Sequence, residues 1–298
     1  MTNVLNLGAL LLALALSMLA AAGGGVLPTR TAGQSDSPEF RRIVSLGITT
    51  DAALAELCEP ARVVGVSAWS TGPNARRWTG TTRLRGLDDL EAVLALAPDL
   101  VLVNSAGGDE DRLARLRQTG VRVEVLGPMA GLGAYANDLA RVGELLGRGA
   151  EGRALGQRLQ QRLARLAASR PHGPRALYLA TYDGTLFGGT VGTSYHDVLT
   201  GAGCVDAAAA SYRGWPQFGV EQALALAPAV VVTKAGMESR IGQLLAGLPQ
   251  PARVIALPGE LLEDPGPRVL EAAETLASQL DVQTASPPAA DPGTTTFR

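Results

Sequence analysis

Three tryptophans carry the clearest chemical signal in this chain of 298 residues, in which aromatic residues make up only 4%. Trp69, Trp78 and Trp215 all fall in segments that we predict to be loops, whereas a core tryptophan usually lies on a strand or helix. An indole ring offers a wide, stiff apolar surface that suits contact with a flat ligand. The three residues therefore predict a wall of a ligand-binding cleft, and a contact at the edge of the core is the alternative for each.

Other side chains near the tryptophans extend this predicted site. Tyr182 and Phe187 follow a predicted strand in the second half of the chain and are expected to join Trp215. Four arginines lie close to Trp78 in the sequence: Arg76, Arg77, Arg83 and Arg85. Guanidinium groups form bidentate pairs with carboxylates, so these arginines could bind an acidic chelate. A solvated loop is the alternative explanation for them.

Patterns for catalysis or metal binding are few. With two histidines and two cysteines, the chain cannot build a zinc site from several histidines, and its cysteines lack metal-ligand spacing. The run from Ser194 to Asp197 has the spacing of a helix-capping box, although Tyr195 or His196 could instead ligate haem iron. The sequence contains no nucleophile-elbow or phosphate-loop motif. We therefore expect no catalytic residue, no metal site and no resident cofactor.

Bulk composition narrows the class of protein. Hydrophobic residues make up 46% of the chain and charged residues 18%, which is typical of a folded protein. The length suggests about two domains. The formal net charge is −2, and no stripe of lysine or arginine is present, so nucleic-acid binding is disfavoured.

Predicted strands and helices alternate along both halves of the chain, which indicates βαβ units around largely parallel sheets. The first half has predicted strands at 42–46, 62–67, 99–103 and 121–126, and predicted helices at 50–58, 89–97 and 109–119. The second half has predicted strands at 175–180, 229–233 and 253–257, and predicted helices at 194–201, 220–227, 238–246 and 267–280.

The middle of the chain has a purely helical pattern instead. Two helical runs, 134–146 and 151–169, are separated by a short glycine-containing break. The second run places four leucines on one face at spacings of three and four, and it would span roughly 28 Å. We interpret residues 131–171 as a helical connection between two α/β lobes.

A segment of the first half recurs in the second half. Asp89–Val103 matches Gly219–Thr233, 130 residues later, and the identical positions include Glu91 and Glu221 as well as a shared Leu-Ala-Leu-Ala-Pro run. In each copy a helix is predicted to end before a proline and to lead directly into a buried strand. Two similar lobes leave a cleft between them, where ligands usually bind. Helix capping is the alternative role for the two glutamates.

These segments resemble a known family. Together with Ile43–Leu46, Val64–Ser67 and Gly266–Glu271, the repeats look like the substrate-binding proteins of ABC importers that bind vitamin B12, ferric siderophores or haem. The resemblance extends from about residue 42 to residue 280. It implies an α/β fold of two Rossmann-like lobes joined by one long α-helix, with the ligand cleft between the lobes.

The resemblance also implies roles for individual residues. In that family one acidic residue on each lobe docks onto arginines of the permease dimer, and Glu91 and Glu221 stand at the matching positions. Trp215 and Trp69 resemble ligand-packing aromatics of the vitamin B12-binding members. The pattern departs at Arg85, where a tryptophan is expected, and at Glu260 and Asp264, where an aspartate and an arginine are expected.

The amino-terminal segment of the chain indicates export. Val4–Ala22 is almost wholly apolar and ends in small residues, which predicts a signal peptide at 1–22, with an uncleaved membrane anchor as the alternative. We predict a linker at 23–40, lobes at 41–130 and 172–282, and a disordered tail at 283–298. Cys58 and Cys204 fall in different lobes and are expected to be buried, small hydrophobic residues.

The sequence thus predicts a monomeric periplasmic substrate-binding protein of an ABC importer. It would bind a large chelate, either cobalamin, a ferric siderophore or haem, and deliver it to the permease. It would not be an enzyme or bind nucleic acid. The alternatives are a membrane-tethered sensor with the same lobes, and an exported two-lobe enzyme, which would need a pair of titratable groups converging in the cleft.

Overall fold

The computed structural model describes residues 40–105, 109–247 and 252–284. The first of its two sheets is wholly parallel, with the strand order β3-β2-β1-β4-β5. Its strands are β1 (Ile43–Ser45), β2 (Val63–Ser67), β3 (Thr82–Leu84), β4 (Leu100–Asn104) and β5 (Arg122–Leu126). Its helices are α1 (Ile48–Leu57), α2 (Gly72–Arg77), α3 (Leu90–Ala95) and α4 (Glu110–Gln118), with short 3-10 turns at Pro60–Arg62 and Leu87–Asp89. Of these, α2 and β3 were not predicted from the sequence.

The second sheet is mixed, with the order β11-β10-β6-β7-β9 and with β8 paired to β6. Its strands are β6 (Arg175–Tyr182), β7 (Thr185–Gly188), β8 (Val205–Asp206), β9 (Gln217–Phe218), β10 (Val230–Lys234) and β11 (Arg253–Leu257). Its helices are α7 (Ser194–Gly201), α8 (Val220–Ala225), α9 (Glu238–Leu244), α10 (Gly259–Leu262) and α11 (Arg268–Thr284). Strand β7 runs antiparallel to β6 after a two-residue turn. The Asp183-Gly184 pair, with φ of 48° and 78°, is the sequence signal for that hairpin.

The chain passes from the first sheet to the second through two helices, α5 (Leu132–Leu145) and α6 (Gly149–Ala168). They pack antiparallel and very closely. A Cβ atom on Gly152 would lie 2.2 Å from the carbonyl oxygen of Leu139, and one on Gly156 would lie 2.9 Å from the Cβ of Ala136. Glycine is therefore required on α6 at these points. Helix α6 has 20 residues and, at about 1.5 Å per residue, is roughly 30 Å long. It is the long helix of the predicted connection.

One hydrophobic core extends across both sheets. It includes Ile43 and Leu102 from the first sheet, Tyr178 and Val232 from the second, and Leu139 of the connection. Cys58 and Cys204 are free and buried in the same core, which confirms that they act as small hydrophobic residues. The two lobes therefore share packing as well as a covalent connection.

Asp197 ties the second lobe to the connecting helices. Its carboxylate accepts a hydrogen bond of 2.7 Å from the backbone N–H of Leu132, the first residue of α5. The predicted capping box with Ser194 is wrong, because α7 begins after Thr193 and no side chain caps it. Asp197 instead satisfies a free N–H of a different helix, 65 residues away in sequence.

The repeat predicted from the sequence is present in three dimensions. Ala97 and Ala227, each just before a proline, have positive φ angles of 43° and 44°, which turn the chain out of α3 and α8 into the following strands. Arg42 donates to the carbonyl oxygens of Leu96 and Ala97. Arg175 likewise donates to that of Leu226, at 3.1 Å. Each helix end is thus capped by an arginine at the start of its own sheet, Arg42 just before β1 and Arg175 as the first residue of β6.

A buried carboxylate lies beneath the carboxyl ends of β1 and β2. Asp51 of α1 has no exposed surface, and it accepts hydrogen bonds from the Ser67 N–H at 3.1 Å and from the Ser70 hydroxyl. Burial raises the pKa of the Asp51 carboxyl from 3.8 to about 7, although these donors act in the opposite direction. The loop from Ser67 to Ser70 is therefore held from below.

Several predicted segments fall outside the described residues: the signal peptide or anchor at 1–22, nearly all of the linker and most of the tail. Phe40, at the end of the predicted linker, is buried in the core. Helix α11 ends at Thr284, just inside the predicted tail. Among the described helices, none is both long enough and apolar enough to cross a membrane.

The close contact of α5 and α6 yields a first prediction. Replacing Gly152 by alanine forces a methyl group against the Leu139 carbonyl, so the free energy of unfolding should fall by about 1–3 kcal/mol. Denaturant unfolding measures this change. Gly242→Ala in α9 is the matched control, since open space surrounds that position. It should be neutral or slightly stabilising, and equal losses in the two variants would contradict the packing argument.

The buried carboxylate yields a second prediction. The unfolded chain releases the Asp51 proton near pH 4 and the folded chain near pH 7, so ionisation of this group destabilises the fold across that window. The free energy of unfolding, relative to that of Asp51→Asn, should therefore decline as pH rises from 4 to 7. The loss should be a few kcal/mol at most, since one pKa unit equals about 1.4 kcal/mol.

Denaturant titrations over a pH series measure this difference. Ser70→Ala removes a donor that favours the ionised carboxylate, so the decline should extend to higher pH in that variant. A difference between wild type and Asp51→Asn that stays constant from pH 4 to 7 would contradict the prediction.

Candidate functional site

A cavity of about 390 Å³ opens at the carboxyl edge of the first sheet. Loops that follow all five strands of this sheet line it, including Gly47 after β1, Trp69 after β2, Arg85 after β3, Asn104 at the end of β4 and Met129 after β5. Parallel strands bring their carboxyl ends to one edge, which is where α/β proteins bind ligands. The cavity belongs to the first lobe, since its lining residues run from Leu46 to Met129.

Trp69 forms an exposed wall of this cavity. Its side chain is 69% exposed, and its backbone N–H donates to the Ser67 hydroxyl oxygen at 3.1 Å. Asp51 holds the residues on both sides of it, Ser67 and Ser70. A large apolar ring is thus presented to solvent on a loop with few ways to relax, as a preformed binding surface requires.

Two arginines with paired charges line the same cavity. Arg85, predicted as a ligand contact, is exposed and binds Asp89 at 2.8 Å. The hydrogen bonds from Arg85 hold the pKa of Asp89 below its usual value of 3.8. Arg112 of α4 pairs with Asp88 and was missed by the sequence analysis. Its position at the start of α4, the helix after β4, was the only feature of the sequence that could have placed it at the cavity.

Trp78 does not line the cleft, and its predicted role is wrong. The residue ends α2, is 1% exposed and donates its indole N–H to the Asp51 carbonyl oxygen at 3.3 Å. It therefore packs in the core beneath the Trp69 loop. Among the nearby arginines, Arg83 binds the backbone carbonyls of Ser67 and Ala75, and Arg77 stacks over Trp78.

A second aromatic surface lies in the second lobe. Trp215 is 58% exposed and packs edge-on against Tyr195, with ring centroids 5.0 Å apart. Tyr195 in turn stacks on Tyr178, with centroids 3.6 Å apart. Burial raises the pKa of both tyrosines. The exposed indole thus rests on a buried aromatic pair.

A buried aspartate also supports the loop that carries Trp215. Asp206 accepts from the Thr190 hydroxyl at 2.6 Å and bonds the Nδ1 of His196 at 2.8 Å. The Thr190 N–H donates to the carbonyl oxygen of Gly214. Burial alone would raise the pKa of Asp206, but the His196 and Thr190 bonds hold it below its usual value. The imidazole of His196 is thereby engaged within the lobe.

Tyr182 and Phe187 occupy the β6–β7 hairpin near this surface. Tyr182, at the end of β6, is 78% exposed. Phe187 is half-buried and stands opposite Ala180, so both side chains project from the same face of the sheet. The roles of these residues as ligand contacts remain predictions. In the described residues, no group of three or more His, Cys, Asp or Glu side chains could hold a metal ion.

Glu91 and Glu221 occupy equivalent places in the repeat. Each lies exposed in the first turn of a short helix, α3 or α8. Among the described residues neither carboxylate has an ion pair or hydrogen-bond partner. Asp88, three residues before Glu91, pairs with Arg112. Both glutamates are therefore available to an external partner.

Several known proteins are similar to this chain in sequence and in architecture. The vitamin B12-binding protein of Photorhabdus laumondii is 28% identical over 247 residues, covering 80% of this chain and 88% of that protein. The solved periplasmic haem-binding protein of Pseudomonas aeruginosa is 26% identical, with a TM-score of 0.68 and coverage of 85% and 96%. The periplasmic vitamin B12-binding protein of Vibrio cholerae is 25% identical, with a TM-score of 0.63 and coverage of 83% and 99%.

The family model described as periplasmic binding protein matches residues 43–246, more than half of the sequence. That range contains both sheets apart from β11, the helical connection, both exposed tryptophans and both copies of the repeat. By its sequence and its two-lobe fold, this chain belongs to the periplasmic binding protein family.

Proposed function

We propose that this protein captures a large metal chelate of the cobalamin, haem or ferric-siderophore type outside the cytoplasm and delivers it to an ABC importer. The observation that carries this proposal is the pair of exposed indoles, Trp69 and Trp215, each on a loop anchored by a buried aspartate. Relatives that match it over most of their length are vitamin B12-binding proteins.

The chemistry of the two surfaces suits such a ligand. Wide aromatic faces contact a flat macrocycle over a large area without losing much side-chain entropy. Paired arginines at the rim of the first cavity offer hydrogen bonds to polar substituents. A cavity of about 390 Å³ takes one side of a large chelate, and the second lobe would cover the other side.

Glu91 and Glu221 are the proposed contacts to the permease. They are exposed, free of partners within the described chain and related by the internal repeat. Two equivalent carboxylates suit a permease that is itself a dimer, and rim charges of this kind set encounter rate and orientation. Glu91 also borders a surface depression of about 470 Å³ that contains Arg112 and Arg115.

The proposal includes a periplasmic location, a monomeric state and a role in binding without catalysis. The supporting observation for the last point is that the titratable groups of the two surfaces, such as Arg85 with Asp89 and His196 with Asp206, are paired within their own lobes. An absorption spectrum of the protein purified from its native host tests the capture of a chelate, since corrins, haems and many ferric chelates are coloured.

The exposed indoles yield a third prediction. Trp215→Ala and Trp69→Ala should each weaken chelate binding by more than about 1 kcal/mol, roughly fivefold, because a packed aromatic contact is lost. Isothermal titration with cyanocobalamin, haemin and a ferric siderophore measures the dissociation constants.

Val205→Ala is the matched control for this experiment, since Val205 is 52% exposed but pairs with Arg175 at the amino end of β6. That position lies roughly 23 Å along the strand from Tyr182. Its dissociation constant should equal that of wild type. Unchanged affinity in a folded Trp215→Ala variant would remove Trp215 from the site.

The docking glutamates yield a fourth prediction. Replacing both Glu91 and Glu221 by lysine should abolish uptake and association with the permease, because attraction becomes repulsion. Chelate affinity should stay within about twofold, since exposed charges are screened over roughly 8–10 Å. Pull-down with the permease and titration with the chelate separate the two effects.

A variant with Glu59→Lys and Glu151→Lys makes the same change in charge away from the repeat and should retain uptake. Normal uptake by the Glu91/Glu221 variant would show that these glutamates do not dock. Lost chelate binding in that variant would instead place them in the ligand site.

A further inference from the structure

The sequence contains a single lysine, Lys234, among otherwise exclusively arginine cations. It is the last residue of β10, at the carboxyl edge of the second sheet. Its side chain is 37% exposed and forms an ion pair with Glu263, whose own side chain is 58% exposed. A lysine presents a compact cation on a flexible stem, which can exchange one anionic partner for another.

The internal repeat gives Lys234 a counterpart in the first lobe. Lys234 follows the second copy of the repeat as Asn104 follows the first, 130 residues earlier. Asn104 ends β4 and lines the first cavity. Each residue is therefore placed by the same helix-to-strand unit at the ligand-binding edge of its own sheet.

The strand register places Lys234 beside the aromatic surface of the second lobe. Val232 pairs with Tyr178 across β10 and β6, so Lys234, two residues further on, projects from the same face as Tyr178. Phe187 projects from that face too, because it stands opposite Ala180. The charge of Glu263 adds to the effect of burial in raising the pKa of Tyr178 and Tyr195, so this carboxylate also lies near the aromatic pair.

Room for the lysine stem depends on Gly259 at the start of α10. A Cβ atom there would lie 2.4 Å from the Lys234 Cε and 3.2 Å from its Cδ. The stem therefore lies directly over this glycine on its way to Glu263. We call Trp215, the buried Tyr195–Tyr178 pair on which it rests and the Lys234–Glu263 pair the second-lobe half-site.

We propose that Lys234 is the specificity-determining cation of the second-lobe half-site, and that it binds an anionic oxygen group of the chelate in place of Glu263. The inference rests on the proposed function and adds to it that the ligand carries an anionic oxygen group. The group is a phosphate or a carboxylate, or the catecholate oxygens of a ferric complex. Glu263 holds the ammonium group in position while the site is empty and competes with the ligand for it.

Three pairs of chelates test this inference by calorimetric titration. In each pair, the member that we call anionic carries a negatively charged oxygen group of one kind, and the member that we call neutral lacks that group. Cyanocobalamin carries a phosphodiester that dicyanocobinamide lacks. Haemin carries two carboxylates that its dimethyl ester lacks. A ferric tricatecholate is anionic, whereas a ferric trihydroxamate is neutral. The proteins compared are wild type, Lys234→Gln, Lys234→Arg and Glu263→Gln.

Substitution of Lys234 and substitution of Glu263 should change the chelate affinity in opposite directions. Lys234→Gln should weaken binding of the anionic member of one pair about tenfold, the scale of a lost charge-assisted hydrogen bond. Glu263→Gln should strengthen it several-fold, and Lys234→Arg should restore most of the affinity. Neutral chelates should bind all four proteins equally. The pair that responds identifies the anion as phosphate, carboxylate or catecholate.

Arg162→Gln is the control for loss of a cation, since Arg162 pairs with Glu274 between α6 and α11 at 2.6 Å. It should leave every dissociation constant unchanged. If wild type binds a chelate and Lys234→Gln binds it within twofold, the inference is overturned while the proposed function stands. Exclusive binding of neutral chelates has the same meaning. If wild type binds none of the six chelates, the proposed function itself is wrong.

Discussion

The contact between α5 and α6 determines how the two halves of this protein face each other. The helices approach until the backbone of one touches the backbone of the other, and only glycine fits at Gly152 and Gly156. A close helical pair resists bending far more than extended strands would. Asp197 adds a hydrogen bond across the same junction, and a shared core fills the space beside it. The distance between the Trp69 and Trp215 loops thus depends on packing rather than on a flexible hinge.

Both half-sites use a buried carboxylate to hold an exposed indole, but they stabilise it differently. Asp51 accepts hydrogen bonds only from neutral donors, so burial outweighs them and the charge of Arg83, and its pKa rises to about 7. Asp206 has His196 as an additional partner, and its pKa falls below the ordinary value. The first anchor therefore weakens the fold as it ionises, whereas the second remains ionised at lower pH. Protonation therefore stabilises the fold at Asp51 and destabilises it at Asp206, so acid affects the supports of the two binding loops in opposite directions.

Much of the fold could be predicted because the responsible signals are local. Alternating apolar runs located β4, β10 and β11 to within a residue or two, and the recurring Leu-Ala-Leu-Ala-Pro run marked the equivalent units of both lobes. The strands β8 and β9 contain two residues each, too few for any period to show. The hairpin at Asp183-Gly184 had a recognisable turn signal, which was overlooked.

The candidate site was harder to predict because its members meet through long-range contacts. Trp69 and Trp215 were correctly expected in exposed loops, but Trp78 follows a helix of only six residues and packs on Asp51, 27 residues earlier. Arg112 reaches the first cavity through its pair with Asp88, 24 residues away. Lys234 is the single lysine of the sequence, but only its place on the sheet edge relates it to the site. Sequence position alone gave no reason to group these side chains.

The scarcity of reactive groups has a practical consequence for anyone who labels or immobilises this protein. Amine-directed reagents have one side-chain target, and it lies beside Glu263 on the proposed binding face. Coupling to an activated carboxyl surface through that amine would turn this face toward the matrix and obstruct it. Thiol chemistry offers the better route. Both native thiols are buried, and burial raises the pKa of Cys58 above 9.0 and that of Cys204 to about 11. A cysteine introduced on the exposed side of α6 would therefore react alone and leave both tryptophan loops open to solution.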